Sequence, residues 1–157
     1  MVNITPNAML RKLLRALAAL SLALGFPPVH ASQEGAGMSQ TGLYEAFGKK
    51  EGLVRLTEDF VNRLTSDPRT ADFFKESNIR RVKEKIAEQL CVVTGGPCTY
   101  TGDSMAEVHK GMGVKMKDFN AVVEDLQDVM HNHHIAFADQ NRLLALLAPM
   151  YRDMVKP

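Results

Sequence analysis

The apolar residues of this chain recur at helical spacing from Leu43 almost to the end of the chain. They lie three or four positions apart, which places them along one face of an α-helix. No stretch alternates apolar and polar residues as a half-buried β-strand requires. The pattern therefore predicts an all-α fold. The four stripes comprise Leu53, Leu56, Phe60 and Leu64; Ile79, Val82, Ile86, Leu90 and Val93; Phe119, Val122, Leu126 and Val129; and Leu143, Leu147, Met150 and Met154.

The composition is that of one soluble globular domain. Hydrophobic residues make up 45% and charged residues 24% of the 157 positions, and a chain of this length can bury a core. The formal net charge is +1, and lysine and arginine do not gather into a stripe, so nothing favours nucleic acid as a partner. The sequence also lacks the motifs of phosphate-binding loops, serine hydrolases and zinc proteases.

The first 31 residues have the pattern of a secretory signal rather than of a folded element. Three basic residues between positions 11 and 15 accompany an apolar run over residues 13–26, and Val29-His30-Ala31 supplies a small-x-small cleavage pattern. The run is short for a membrane span. We expect residues 1–31 to be a cleaved signal, 32–42 a flexible leader and 43–157 the domain, with the mature protein periplasmic or secreted. The alternative is an uncleaved membrane anchor. If the signal is cleaved, we expect the chain to contact the membrane only during export.

Two cysteines, Cys91 and Cys98, flank a turn that contains Gly95-Gly96-Pro97. This turn can bring the two sulfurs within bonding distance, and an oxidising compartment would permit a disulfide. We favour the disulfide because the chain carries an export pattern, and two buried free thiols are the alternative. Closing so short a loop should stabilise the fold by roughly 2 kcal/mol.

A short helix is predicted to begin near Ser104. Ser104 and Glu107 form a capping-box pattern, and Gly111 and Gly113 stop the helix almost at once. A helix this short is marginal alone, so something that it packs on or binds must hold it in place. It carries His109, which is either a metal ligand or an ordinary histidine whose ring is hydrogen-bonded in the core or at the surface.

Several short motifs follow one another over residues 43–155. They are Leu43-Tyr44-Glu45, Glu58-Asp59-Phe60, Asp67-Pro68-Arg69, Phe73-Phe74, Gly95-Gly96-Pro97, Tyr100-Thr101-Gly102 and Val108-His109-Lys110-Gly111-Met112-Gly113. In this order and spacing the series resembles the group 1 truncated hemoglobins. The resemblance is especially close to exported members that carry a Cys pair around Gly-Gly-Pro.

This resemblance implies a truncated globin fold, a two-on-two helical sandwich around heme b (iron protoporphyrin IX). His109 matches the proximal histidine that coordinates iron, and Phe74 matches the phenylalanine that packs against the porphyrin. An ordinary core phenylalanine is the alternative for Phe74. Lys85 and Lys83 either reach the heme propionates or lie in solvent. The further residues expected to line the heme are Val82, Ile86, Met105, Val108, Met112, Val114 and Phe119.

The distal side departs from the family pattern. Many group 1 members carry a tyrosine directly after the phenylalanine of Glu-Asp-Phe and a glutamine on the distal helix, and both hydrogen-bond to dioxygen. Val61 and Ile86 stand there instead and cannot donate, and each lost donor should cost on the order of 1–2 kcal/mol. Gln89 is a candidate substitute donor, although its spacing would point it away. The expected distal pocket comprises Phe60, Val61, Ile86, Gln89 and Leu90.

Three functional hypotheses follow. The first is a heme globin that reversibly binds a diatomic gas, oxygen or NO, at a His-ligated iron, with an electron donor as a further candidate partner. The alternative is a heme enzyme at the same iron, an NO dioxygenase or a peroxidase-like enzyme. The third is a heme-free helical domain that binds metal or another protein through His131, His133 and His134, which otherwise cap the third long helix.

Overall fold

All regular structure that the computed structural model describes, over residues 42–155, is helical. The predicted all-α class is therefore confirmed, and no helix in this range is long and apolar enough to cross a membrane. The expected signal and almost all of the leader lie outside the described residues. The helices are α1 (Leu43–Ala46), α2 (Lys49–Ser66), α3 (Ile79–Val93), α4 (Met105–Val108), α5 (Met116–Asn132), α6 (Phe137–Leu147) and α7 (Tyr151–Met154), with 3-10 turns at Ala71–Phe74 and Ala148–Met150.

Polar side chains cap the start of two helices, one of them at Ser104 as the sequence predicted. The side chain of Asn78 accepts a hydrogen bond from the Arg81 amide at 3.1 Å and starts α3. Ser104 accepts one from the Glu107 amide at 3.3 Å and starts α4. Helix α2 ends at Ser66. The backbone becomes extended at Asp67 because this residue precedes Pro68, and a residue before proline avoids the helical region.

The fourth apolar stripe was predicted as one helix, and this prediction is wrong beyond Leu147. Helix α6 ends there, a 3-10 turn follows over Ala148–Met150, and α7 starts at Tyr151. Pro149 explains the break, because proline has no amide hydrogen to donate and its ring crowds the preceding turn of an α-helix. Met150 and Met154 therefore lie on different elements from Leu143.

The four long helices pack as the two-on-two sandwich that the resemblance implied. Helix α2 packs against both α3 and α5, and α6 packs against α3 and α5. The short helices are placed by neighbours: α1 contacts α2 and α6, and α4 contacts α7. Apolar side chains from α1, α2, α3, α5 and α6 form one core. Its buried members are Leu43, Phe47, Leu53, Leu56, Phe60, Leu64, Leu90, Cys91, Leu126, Val129, Met130 and Leu143.

A buried carboxylate fixes the contact between α2 and α5. Asp125 is fully buried, and its Oδ1 accepts a hydrogen bond from Nε of Arg63 at 2.8 Å. The same guanidinium also donates to Asp128 at 2.8 Å, on the exposed side. A buried carboxylate is tolerated only when it is paired, so this ion pair links α2 to α5 beside their apolar contacts.

Candidate functional site

The imidazole of His109 lies at the end of α4, where this residue caps the helix. Its side chain is half-buried, and its Nδ1 lies 2.8 Å from the backbone oxygen of Met105. A carbonyl oxygen only accepts, so Nδ1 carries the proton and donates. In the neutral ring, Nε2 is then the nitrogen without a proton. A neutral imidazole held in this tautomer is suited to bind a metal ion.

The apolar face of α3 is only partly covered. Of its 15 residues, only Leu90 and Cys91 are buried. Val82 and Ile86, predicted to line the heme, are half-buried, and Phe74 is half-buried beside the core. A helix face this apolar normally packs against something. The remaining predicted lining residues include half-buried ones (Met105, Met112, Val114 and Phe119) and one that is exposed (Val108).

Gln89 connects α3 with the region around His109. Its amide nitrogen lies 3.4 Å from the sulfur of Met105 and 3.4 Å from the sulfur of Met150. The structure thus places Gln89, which was predicted for the distal side, in contact with Met105, which was predicted to line the heme near His109. In this arrangement the amide donates to thioethers, which are weak acceptors. Tyr151, which the sequence analysis did not select, joins the same region with its ring 6.1 Å from that of Phe119.

The other residues predicted for the distal pocket are buried. Val61 is fully enclosed, and Phe60 and Leu90 are members of the hydrophobic core. Each is apolar, so none of the three side chains offers a hydrogen-bond donor. Ile86 packs against the same hydrophobic core.

The ammonium of Lys85 is held by a local network rather than by solvent. It binds both carboxylate oxygens of Glu88 at 2.9 and 3.0 Å and the hydroxyl of Thr101. Glu88 also accepts a hydrogen bond from the Thr101 amide at 2.9 Å. These contacts, first that with Lys85 and then that with the Thr101 amide, lower the pKa of Glu88 to about 2. The network anchors the loop that precedes α4 to α3, and Lys83 is similarly bound to Glu58 and Asn62.

This network predicts a specific loss of stability in acid. Because the pKa of Glu88 is lowered in the folded protein, its contribution is complete above about pH 4.5 and disappears as the pH falls toward about 2. Glu88→Gln should therefore lower the urea midpoint most near neutral pH. In acid, the midpoints of the variant and the wild type should become equal. The matched control is Glu76→Gln, an exposed glutamate in the turn before α3. A Glu88→Gln chain whose deficit is the same at every pH would contradict the assignment.

The predicted disulfide is present in the structure. Cys91 and Cys98 are bonded, with their Cα atoms 5.9 Å apart. Cys91 lies at the end of α3 and Cys98 in the loop that leads toward α4. The bond therefore joins the helix of the predicted distal residues to the segment that carries the predicted iron ligand.

The histidines of the third hypothesis do not form a metal site. His133 caps α5, and its Nε2 lies 2.7 Å from a carboxylate oxygen of Asp59 on α2. His131 and His134 are exposed. Between residues 42 and 155, no group of three or more histidine, cysteine, aspartate or glutamate side chains is arranged to hold a metal ion.

Taken together, these elements define a helical protein with the architecture of a globin. The family model for bacterial-like globins matches residues 42–156. A group 1 truncated hemoglobin of Mycolicibacterium paratuberculosis is 32% identical over 108 residues, which cover 69% of this chain and 79% of that protein. Another, of Tetrahymena pyriformis, is 26% identical over 113 residues, covering 72% and 93%.

Solved structures agree with the sequence comparison. The truncated hemoglobin of Tetrahymena pyriformis, in its Fe(III) form, aligns with a TM-score of 0.71 at 25% identity, over 73% of this chain and 98% of that one. The 2/2 hemoglobin of Synechococcus sp. shares the fold with a TM-score of 0.68 at 19% identity, over 72% and 97%. The chain belongs to the bacterial-like globin family, with group 1 truncated hemoglobins as its relatives.

Membership of this family implies a heme cofactor, and the residues present fit one. The Nδ1 contact of His109 leaves Nε2 available to a metal ion such as heme iron. The partly covered apolar face of α3 offers the surface that a porphyrin ring would bury. The chain thus provides both a ligand atom and an apolar surface.

Proposed function

We propose that this chain is an exported heme b globin that reversibly binds a diatomic gas. In this proposal Nε2 of His109 ligates the iron, and the gas binds on the face beside Val61 and Ile86. The heme supplies the iron that holds the gas. The chain would supply the His109 imidazole that holds the heme, the orientation of that ring, and an apolar environment that excludes water.

One observation carries the proposal, namely the hydrogen bond between Nδ1 of His109 and the Met105 oxygen. This bond orients the ring and selects the tautomer in which Nε2 is free to bind a metal. It also makes the imidazole a better electron donor, as second-shell contacts do in other metal sites.

The residues on the distal side support a preference among gases. Val61 and Ile86 cannot donate a hydrogen bond. Dioxygen is polarised when it binds to ferrous heme and is held longer by donors, whereas NO and CO depend on them less. We therefore expect weak retention of oxygen relative to NO and CO. The same feature disfavours efficient oxygen-dependent NO dioxygenation.

Export is part of the proposal, and the apolar run before Pro27 together with the Cys91–Cys98 disulfide supports it. The test is to express the full-length chain in a bacterial host and to fractionate the cells. The protein is expected in the periplasm or medium, with an intact mass corresponding to cleavage after Ala31. Full-length protein retained in the cytoplasm would contradict export and leave heme binding unaffected.

The heme proposal is tested on the same purified protein by visible spectroscopy in the ferric, ferrous and CO-bound ferrous forms. A Soret band that shifts on reduction and again on addition of CO is expected. Folded protein, verified as helical by circular dichroism, that shows no Soret band after incubation with heme would refute the proposal.

A further inference from the structure

A cavity lies beside the disulfide, between α2 and α3. It is a cleft of about 490 Å³ whose walls are formed by these two helices and by the loop after α3. Leu53, Val54 and Ala87 contribute apolar wall, and both Cys91 and Cys98 line it. His109, Val61 and Ile86 do not line it. Of the residues considered above for the heme, Lys83 alone lines the cleft, and its ammonium binds Glu58 and Asn62.

The two sulfurs of the disulfide differ in accessibility. Cys91 is only 2% exposed, while Cys98 is partly exposed. The backbone of Gly96 covers Cys91 so closely that a Cβ built on Gly96 would lie 2.6 Å from the Cys91 sulfur. A small molecule that enters the cleft therefore reaches the sulfur of Cys98 more readily than that of Cys91.

The cleft also contains a polar group without a partner. Thr57 is 1% exposed, and its hydroxyl makes no hydrogen bond although it lines this cavity. A buried hydroxyl without a partner costs free energy, which a polar ligand in the cleft would recover. The cleft thus combines an apolar wall, a hydroxyl and a reachable disulfide sulfur, all of which suit a small molecule with a polar group and a thiol.

From these features we infer that the cleft is a thiol-exchange site, where a low-molecular-weight thiol modifies Cys98. The thiolate attacks Sγ of Cys98, a new disulfide forms between them, and the Cys91–Cys98 bond breaks. Sγ of Cys91 leaves with the bonding electron pair and takes up a proton, which balances the one lost by the attacking thiol. A second thiol molecule then displaces Cys98 and gives a symmetrical disulfide and two protein thiols, a two-electron reduction.

The exchange would act on the segment that carries His109. Opening the bond frees the loop after α3 on the Cys98 side, while the Thr101 amide remains bound to Glu88. The modification therefore loosens the loop without releasing α4 from α3. This consequence depends on the proposed function, but the exchange chemistry itself requires no heme.

The experiment treats the folded full-length protein with 2-mercaptoethanol, quenches in acid, and maps the adduct by mass spectrometry. We expect the adduct on Cys98 in at least about tenfold excess over Cys91, and a rate that rises in proportion to the thiol concentration. Val54→Phe, which narrows the cleft, should slow the reaction about tenfold. Arg55→Phe, at an exposed position of α2 outside the cleft, should leave the rate unchanged.

Two results would overturn the inference. One is an adduct shared equally between the two cysteines. The other is a rate that reaches a plateau equal to the unfolding rate and is the same in Val54→Phe and Arg55→Phe, because exchange would then require global unfolding. Both readouts are obtained on heme-free and heme-loaded protein alike, so they are independent of the heme proposal.

Discussion

The double substitution Val61→Tyr with Ile86→Gln is expected to slow the dissociation of dioxygen from the ferrous protein by about two orders of magnitude. Each new side chain adds a hydrogen-bond donor on the proposed gas-binding face, and each donor contributes on the order of 1–2 kcal/mol to the retention of a polarised ligand. Stopped-flow measurement of the oxygen dissociation rate checks this. CO dissociation should change much less, because bound CO is less polarised.

The matched control for this prediction is Val61→Phe with Ile86→Leu. Val61 is fully buried, so an aromatic ring there must displace its neighbours, and this overpacking costs roughly 1–3 kcal/mol of stability. The control carries the same bulk without donors and should release oxygen at close to the wild-type rate. If it slows dissociation as much as the tyrosine and glutamine pair, steric closure rather than hydrogen bonding controls retention.

Replacing Gly52 with alanine is expected to destabilise the fold by about 3 kcal/mol or more. Gly52 is buried near the start of α2, and a Cβ built on it would overlap the carbonyl oxygen of Phe47 and lie 2.9 Å from the carbonyl carbon. Both obstacles are backbone atoms, which cannot rotate away as a side chain can. The displacement would reach Phe47 and Leu43, which belong to the core.

Urea denaturation followed by circular dichroism measures this effect. Arg55→Ala is the control, because it places alanine at an exposed site of the same helix and should stay within about 0.5 kcal/mol of the wild type. Alanine is favoured over glycine by about 1 kcal/mol within a helix, so the intrinsic preference opposes the expected loss. Gly52→Ala with unchanged or increased stability would show that α1 moves away from α2 at little cost.

The fold was largely predictable because the signals that determine it are local. The spacing of apolar residues predicted four long helices, and Ser104 predicted where a short one begins. The break at Pro149 was missed because the stripe through Leu147, Met150 and Met154 keeps helical spacing across it. The spacing of apolar residues reports which side chains share a helix face. The break arises instead because Pro149 has no backbone amide hydrogen to donate.

The candidate site was predictable only in part. The position of His109 and the Cys91–Cys98 bond followed from motifs, but the partners of Lys85 and Gln89 did not. Glu88 stands three residues after Lys85, which indicates a helical ion pair. Its bond to the Thr101 amide depends on how the loop folds back onto α3, which no local pattern specifies.

The most direct test of the central claim is the iron–histidine bond itself. Resonance Raman spectra of the ferrous full-length protein should show an iron–histidine stretching band in the wild type and in His131→Gly, where an exposed histidine is removed as a control. The band should disappear in His109→Gly and return when imidazole is added to fill the space. A His109→Gly protein that retains the wild-type band without imidazole would contradict the assignment of His109 as the iron ligand.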